Sequence, residues 1–435
     1  MRSLNWKMFI AMGLIICLAA ACGAPATTNK ENNQKSEGKA EGEKTVVTWL
    51  QWWKTEAGEE PLNELVAAFE AKHPNIKIDV QDLPFAQVHD KIVTLNSSGN
   101  TPDVIAISSP WVTEFAITGV TEPLDEYYDK MPEDFKENTK GPLWADWKGK
   151  HYSIGFFTGN MALFYNKKKL EEKNIQPPTT WEEYIDASIK LSDPSKNIFA
   201  MTGNIGSEPP STITYEVWPY ILQAGGKILD NGRPAFNTAE GVAGLEHFKS
   251  LIKTHKVATP GELSAGEKEK RSNFSAENTA FMYEGPWGIG IQRKANANLD
   301  FGIVPMPVGK QGGTVAGGTS VGITAKSKHK EEAWEFVSFL AGPEAQLIWA
   351  KSTNNFPHNK AALKDSYIQS DELLKVFADQ FDWNPINPDL QMPQSNDLRK
   401  IFVTEVQNFL TDKKTAEQAL NDAAAEWNKV FDKYK

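Results

Sequence analysis

The sequence predicts an α/β fold whose first part is a doubly wound sheet. Short β-branched runs alternate with segments of helical spacing. The first five elements run strand, helix, strand, helix, strand. Val104-Ile105-Ala106-Ile107 is an unbroken apolar run that suits a strand covered on both faces. Thr45 to Gln51 is the first strand, rich in β-branched and aromatic residues. Pro61 opens a helix carrying Leu62, Leu65, Val66 and Phe69 on one face, and His73-Pro74 stops it. Ile76, Ile78 and Val80 alternate as a second strand. Val88, Ile92 and Leu95 mark a helix that ends near Gly99. In such sheets ligands sit beyond the carboxyl ends of the strands. Those ends are Gln51-Trp52-Trp53-Lys54 and Ser108-Ser109-Pro110-Trp111.

Further along, Ala162 to Tyr165 reads as a strand. Thr180 is a helix N-cap with Glu183 as its capping-box partner, and Trp181 packs. Trp218-Pro219 to Leu222 belongs to a helix ended by Gly225-Gly226. Lys330 to Leu340 is an amphipathic helix with Ala333, Phe336, Val337 and Leu340 on its inner face. Lys413 to Tyr434 is a final helical region, capped by Thr415 and Gln418. At roughly 150 residues per domain, 435 residues give two or three domains.

The N-terminus is an address. Arg2 and Lys7 precede Met8 to Ala21, an uncharged and mostly apolar run too short to span a bilayer comfortably. Leu18-Ala19-Ala20-Ala21-Cys22-Gly23 resembles a bacterial lipobox, with Ala19 where Leu is usual; the alternative is an ordinary A-x-A cleavage. The resemblance implies removal of residues 1–21 and lipidation of Cys22. Residues 22–44 then form a disordered tether, since no apolar residue larger than Ala follows Cys22 apart from Pro25.

Composition narrows the chemistry. With 40% hydrophobic and 23% charged residues, a multi-pass membrane protein and a mostly disordered chain are excluded. A formal charge of −10, without a basic cluster, argues against a nucleic-acid partner. The two cysteines, Cys17 and Cys22, leave no thiolate site in the body of the chain. The seven His show no metal-ligand spacing, so neither metal nor cofactor is expected. Gly318-Thr319-Ser320-Val321-Gly322 matches G-x-S-x-G, but the residues after Ser320 read as continuing strand, against a nucleophile elbow. Carboxylates are plentiful and no catalytic pair singles itself out.

Several stretches together resemble the extracellular solute-binding proteins of ABC sugar importers, the maltose-binding-protein-like family. They are Trp49-Leu50-Gln51-Trp52-Trp53, Pro102-Asp103-Val104-Ile105, Phe164-Tyr165-Asn166-Lys167 with Pro177-Pro178-Thr179-Thr180-Trp181, Ala280 to Trp287, Gly317-Gly318-Thr319-Ser320, and Lys330 to Phe336. The resemblance implies a two-lobed periplasmic-binding-protein-like fold of type II, each lobe a sheet flanked by helices, with the ligand cleft between them. The chain crosses between lobes near Phe157, Gly317 and Asn359. Residues 45–157 and 318–359 then form one lobe, and 158–317 and 360–435 the other. It also implies an oligosaccharide ligand, permease transmembrane subunits as partners, a membrane contact through the lipid anchor on the outer face of the cell membrane, a monomer, and no catalysis.

The family pattern carries over residue by residue. Trp287 matches a Gly-Pro-Trp whose Trp stacks on sugar; the alternative is interlobe packing. Tyr215 matches an aromatic three residues before Trp218-Pro219 and faces the cleft. Trp53 and Lys54 follow the first strand where the family places ligand contacts, with at least one of Trp52 and Trp53 in the core. Ser109 and Trp111, beside Ser108, do the same after the third strand. Phe157 and Asn160, with Gly159, lie near a crossing where maltose-binding protein has a carboxylate that this sequence lacks. Gly317 and Gly318 let backbone approach ligand, or simply form a hinge. Trp383 covers the cleft or packs inside. Near 390–400, where maltose-binding protein has a stacking aromatic, this chain has Gln391, Asn396 and Arg399. Two rival readings stand beside this one: a secreted lipoprotein enzyme acting on glycans, and a binder of a non-sugar solute such as a glycerol-phosphate compound.

Overall fold

The structure, a computed structural model, describes residues 44–434 apart from 142, 145, 207–212 and 384. The expected signal segment, Cys22 and all of the tether but Lys44 lie outside the described residues. The chain runs through β1 (Thr45–Gln51), α1 (Trp53–Ala57), α2 (Glu59–Lys72), β2 (Ile76–Asp82), α3 (Phe85–Ser98) and β3 (Val104–Ser108). After short elements come β4 (Ile154–Asn160), β5 (Ala162–Asn166), α4 (Trp181–Leu191), α5 (Ile213–Gln223), α6 (Glu267–Ser275), β6 (Phe281–Glu284), α7 (Trp287–Ala295) and β7 (Phe301–Val304). Then follow β8 (Ala316–Ile323), α8 (Lys330–Ala341), α9 (Pro343–Thr353), β9 (Phe356–Pro357), α10 (Glu372–Gln380), α11 (Ser395–Leu410) and α12 (Ala416–Asp432).

Local chemistry accounts for most boundaries. Pro61 stands at the third position of α2 and not at its opening, still within the first turn where a missing N–H costs nothing. Gly99 ends α3 at φ 77°, a left-handed cap that a side chain would strain. Thr180 caps α4 by accepting the Glu183 N–H at 3.2 Å. The Glu183 carboxylate reaches one residue further back than expected, to the Thr179 N–H at 2.8 Å and its hydroxyl at 2.7 Å. At α12 the expected box forms as read, with Thr415 and Gln418 each accepting the other's backbone N–H.

The larger sheet has the order β9-β4-β8-β3-β1-β2. β1 pairs parallel with β2 and β3, as the βαβαβ order requires. β8 runs antiparallel to both β3 and β4, so the sheet is mixed and not wholly parallel. The reason is direction of entry: β8 arrives from the second lobe and threads back against the outgoing strands. The smaller sheet, β6-β5-β7, is antiparallel throughout. Helices supply most of that lobe's interior.

One core lies on the larger sheet. Trp53 is its hub, 5.4 Å from the Trp49 ring, 5.1 Å from Phe156 and 5.2 Å from Trp349. A second core joins β5 and β6 to α5, α11 and α12 around Trp218, Phe402 and Trp427, and a third packs Phe164, Phe301 and Phe377 on the other face of the smaller sheet. The chain passes from one lobe to the other at Asn160–Met161, at Val315–Gly317 and through α9, whose Trp349 and Ala350 belong to different cores. Within residues 360–435 one segment also reaches the larger sheet's core. Leu390 packs in the first lobe's core, and its carbonyl accepts the Thr113 hydroxyl at 3.0 Å. The segment before α11 is therefore a further strut between lobes.

Candidate functional site

β1 and β3 end at a cleft with about 590 Å³ of empty space, its open mouth included. The first lobe presents Trp52 and Glu56 from the β1–α1 turn, Phe85 from α3, Ser108 and Pro110 from the end of β3, and Phe157 from β4. The backbone of Gly318 and Thr319 forms part of the same wall. Facing them, the second lobe presents Tyr215, Glu267, Arg271, Trp287 and Arg399. This is the position that the strand-end rule gives for an open α/β sheet.

Trp287 is half-buried and fixed from two sides. Its indole Nε1–H donates to Glu284 Oε1 at 2.6 Å. Its ring edge lies in a slot made by glycines. A Cβ on Gly285 would sit 2.4 Å from the ring, one on Gly159 3.3 Å away and one on Gly317 3.4 Å away. A larger residue at Gly285 would force the ring to move. The indole is thus held in place before any ligand arrives, which lowers the ordering cost of binding.

Beneath it lies an ionic cluster. Arg271 Nε donates to Glu284 Oε2 at 2.9 Å, and its Nη2 lies 2.7 Å from Glu267 Oε1. Buried Lys270 donates to Glu216 Oε1 and to the Tyr283 carbonyl, both at 2.7 Å. Burial pushes the Glu284 carboxyl up, but Arg271 and Lys270 outweigh it and hold it at about 2. Glu267 is pushed up by burial, against the pull of Arg271. Glu56 has no such close cation. Burial pushes it up to about 7, Arg271 opposing and Glu267, Glu284 and Asp82 adding to the rise.

Arg399 is the second cleft cation. Its Nε donates to Asp389 Oδ1 at 2.9 Å and its Nη2 bonds the other carboxylate oxygen. The guanidinium lies 5.1 Å from the Tyr215 ring centre, and both side chains line the cleft. Both arginines are therefore paired with carboxylates of the protein itself.

Among the expected contacts, Trp287, Tyr215, Phe157 and Gly318 come together at the cleft. The others are placed elsewhere. Trp53 is packed in the first core and Trp52 takes the cleft position. Lys54 points to the outer surface and pairs with Glu59. Trp111 is buried against Trp52, Phe85 and Phe115, behind the cleft wall. Ser109 is buried too. Its hydroxyl donates to the Gly318 carbonyl at 3.1 Å and accepts from Asn387 Nδ2 at 3.2 Å, so it fixes the wall from behind. Asn160 is fully buried, donating to the Phe377 carbonyl and accepting from Gln380. Gly317 makes room for the Tyr215 hydroxyl; a Cβ there would lie 2.9 Å from that oxygen. Trp383 covers Gly312 on the second lobe, away from the cleft lining.

No motif in the sequence points to Glu56, Phe85, Glu267 or Arg271, and Arg399 stands out there only as a position without an aromatic ring. Glu267 and Arg271 do carry an i,i+4 signal for one helix face. Ser320 lies mid-strand in β8 with its hydroxyl buried, which is no nucleophile elbow. Among the described residues, no cluster of three or more His, Cys, Asp or Glu is arranged to hold a metal ion, and no helix is long and apolar enough to cross a membrane.

Comparison with known proteins gives one consistent result. A binding protein of Brucella abortus is 26% identical over 381 residues, covering 85% of this chain and 89% of its own. The galactooligosaccharide-binding protein of Bacillus subtilis is 24% identical, covering 96% of this chain and 95% of its own. Among solved structures, an ABC transporter solute-binding protein of Thermotoga lettingae, bound with α-D-tagatose, superposes with a TM-score of 0.80 at 26% identity, covering 89% of this chain and 99% of that one. These similar proteins are binding proteins. The family model for bacterial extracellular solute-binding proteins matches residues 53–347, most of the chain that builds both lobes and the cleft, and the chain belongs to that family.

Proposed function

We propose that this protein is the substrate-binding component of an ABC importer, anchored to the outer face of the cell membrane through lipidated Cys22. It captures a neutral oligosaccharide by lobe closure and hands it to the permease without chemical change. One observation carries the choice of ligand class: an indole, Trp287, pre-set by Glu284 and a glycine slot, opposite Trp52 and Phe157 of the other lobe. Sugar rings offer C–H faces to such aromatics and hydroxyl edges to Ser108, Glu56 and the backbone of Thr319. The pairing of Arg271 with Glu284 and Glu267, and of Arg399 with Asp389, supports a neutral ligand over a phosphate ester, whose charge those carboxylates would oppose. The mid-strand position of Ser320 and the low-held, already bonded Glu284 carboxylate support binding over hydrolysis.

The test titrates the mature protein with mono- and oligosaccharides while Trp fluorescence, melting temperature and reducing ends are followed together. Saturable fluorescence change with a raised melting temperature and no new reducing ends is expected. Steady release of fragments would instead favour the glycan-degrading enzyme.

Glu56 adds a pH dependence. In the cleft its carboxyl sits at about 7; opening the lobes to water returns it toward the ordinary 4.5. Between those values the closed form binds the proton and the open form does not. Closure is therefore favoured at the acid end of the window and weakens as pH rises through it. Ligand affinity is expected to fall from pH 5 to 8, and Glu56→Gln to flatten the slope; an unchanged slope in that variant removes Glu56 as its source.

A further inference from the structure

The second lobe's cleft residues stand on separate elements. Tyr215 is on α5, Glu267 and Arg271 are on α6, Trp287 follows directly on β6, and Arg399 is on α11. The first three of these elements meet at one buried ammonium. Lys270 sits beside Arg271 on α6, but it does not line the cleft and is only 3% exposed. Its Nζ donates to Glu216 Oε1 at 2.7 Å, in the first turn of α5 and next to Tyr215. It also donates to the Tyr283 carbonyl at 2.7 Å, one residue before Glu284. It stands 3.7 Å from Glu284 Oε2, on the carboxylate whose other oxygen accepts the Trp287 indole N–H. Glu216 is buried as deeply as Lys270, and its bond from Asn204 Nδ2 is a longer 3.4 Å. Burial works against the Lys270 charge, but Glu216, Glu284 and Glu267 outweigh it and hold its pKa above the ordinary value. Donors of one ammonium therefore span α5 and the end of β6, and fix how far apart they stand.

We propose that Lys270 is a positioning residue for sugar binding. Without touching the ligand, it sets Tyr215 and Trp287 relative to each other, through Glu216 and through the end of β6 that carries Glu284. This rests on the carbohydrate reading of the cleft and adds to it a residue behind the wall. Charged hydrogen bonds in a dry interior are stiff, so the two rings have little freedom left to lose when a sugar arrives.

Lys270→Met alone strands the Glu216 carboxylate in the interior and lowers stability whatever the role of the lysine. The deciding variant is therefore Lys270→Met with Glu216→Gln, which removes both charges of the pair and leaves Arg271 on Glu284. Its affinity for maltotriose, galactotriose and arabinotriose is measured by calorimetry beside the wild type. The indole N–H resonances of the ligand-free, isotope-labelled protein are recorded as well, with that of Trp287 identified by its loss in Trp287→Phe. The Trp427 indole, bonded to the Leu398 carbonyl at 2.8 Å in the same lobe, reports whether the fold is intact. The double variant is expected to keep the Trp427 resonance and a melting temperature near that of the wild type. It is expected to shift the Trp287 resonance and to bind about tenfold more weakly. A folded double variant with the wild-type Trp287 resonance overturns the positioning role, and so does wild-type affinity. Should no sugar bind the wild type, the carbohydrate reading falls, and the Trp287 resonance still decides whether Lys270 positions the indole.

Discussion

Trp287→Ala is expected to weaken oligosaccharide binding by about a hundredfold, roughly 2.7 kcal/mol, while the protein stays folded. The size follows from what the side chain does. Its indole is half-buried, pre-positioned, and part of the cleft wall. Truncation removes the stacking surface and the ordering already built into the slot around Gly285. The fold survives because Glu284, the partner of the indole N–H, keeps its bonds to Arg271 and its place near Lys270. Trp287→Phe separates the two contributions. It keeps an aromatic face and loses the hydrogen bond, so a loss of about tenfold is expected. Calorimetry with a melting curve on each variant decides the matter. Unchanged affinity in a folded Trp287→Ala protein would mean that the indole only packs between lobes.

Asp389→Ala is the second large effect, and it falls on stability first. Asp389 and Arg399 are both almost wholly buried, bonded through two guanidinium nitrogens, and Ser395 adds a bond to the same carboxylate at 2.5 Å. Removing the carboxylate strands a buried cation, at a cost of about 3–5 kcal/mol. Urea unfolding should show a lower midpoint without a changed slope. Binding should weaken as well, for two structural reasons. Arg399 lies beneath the Tyr215 ring, and Leu390, the next residue after Asp389, is tied to the first lobe through Thr113. Full stability in Asp389→Ala would show that the pair contributes nothing net. Loss of stability with intact affinity would confine its influence to the fold.

Much of this architecture was readable because its causes are local. The strands β1 to β3 follow from short apolar runs, and α8 and α12 from helical spacing and caps, none of which needs a distant partner. What was missed depends on contacts between remote segments. Trp52 and Trp53 are neighbours at the point where strand becomes helix. There the Gln51 side chain accepts the Trp53 N–H and turns Trp53 inward, so strand alternation no longer decides which ring faces out. Glu267 and Arg271 become cleft residues only through the first-lobe residues that stand opposite them. The antiparallel entry of β8 and the strut at Leu390 likewise depend on where the chain crosses between lobes, a property that no window of sequence contains. Gly317 is the most instructive case. The sequence points to this glycine as a place of close approach, and the groups that approach it within the protein are Tyr215 and Trp287.

Small-angle scattering on the mature protein, with and without a saturating oligosaccharide, tests most directly whether the groove between lobes is a trap for sugar. A smaller radius of gyration with ligand, lost in Trp287→Ala at the same ligand concentration, is the predicted result. A bound sugar that leaves the radius unchanged and the Trp287→Ala profile indistinguishable from wild type would contradict it.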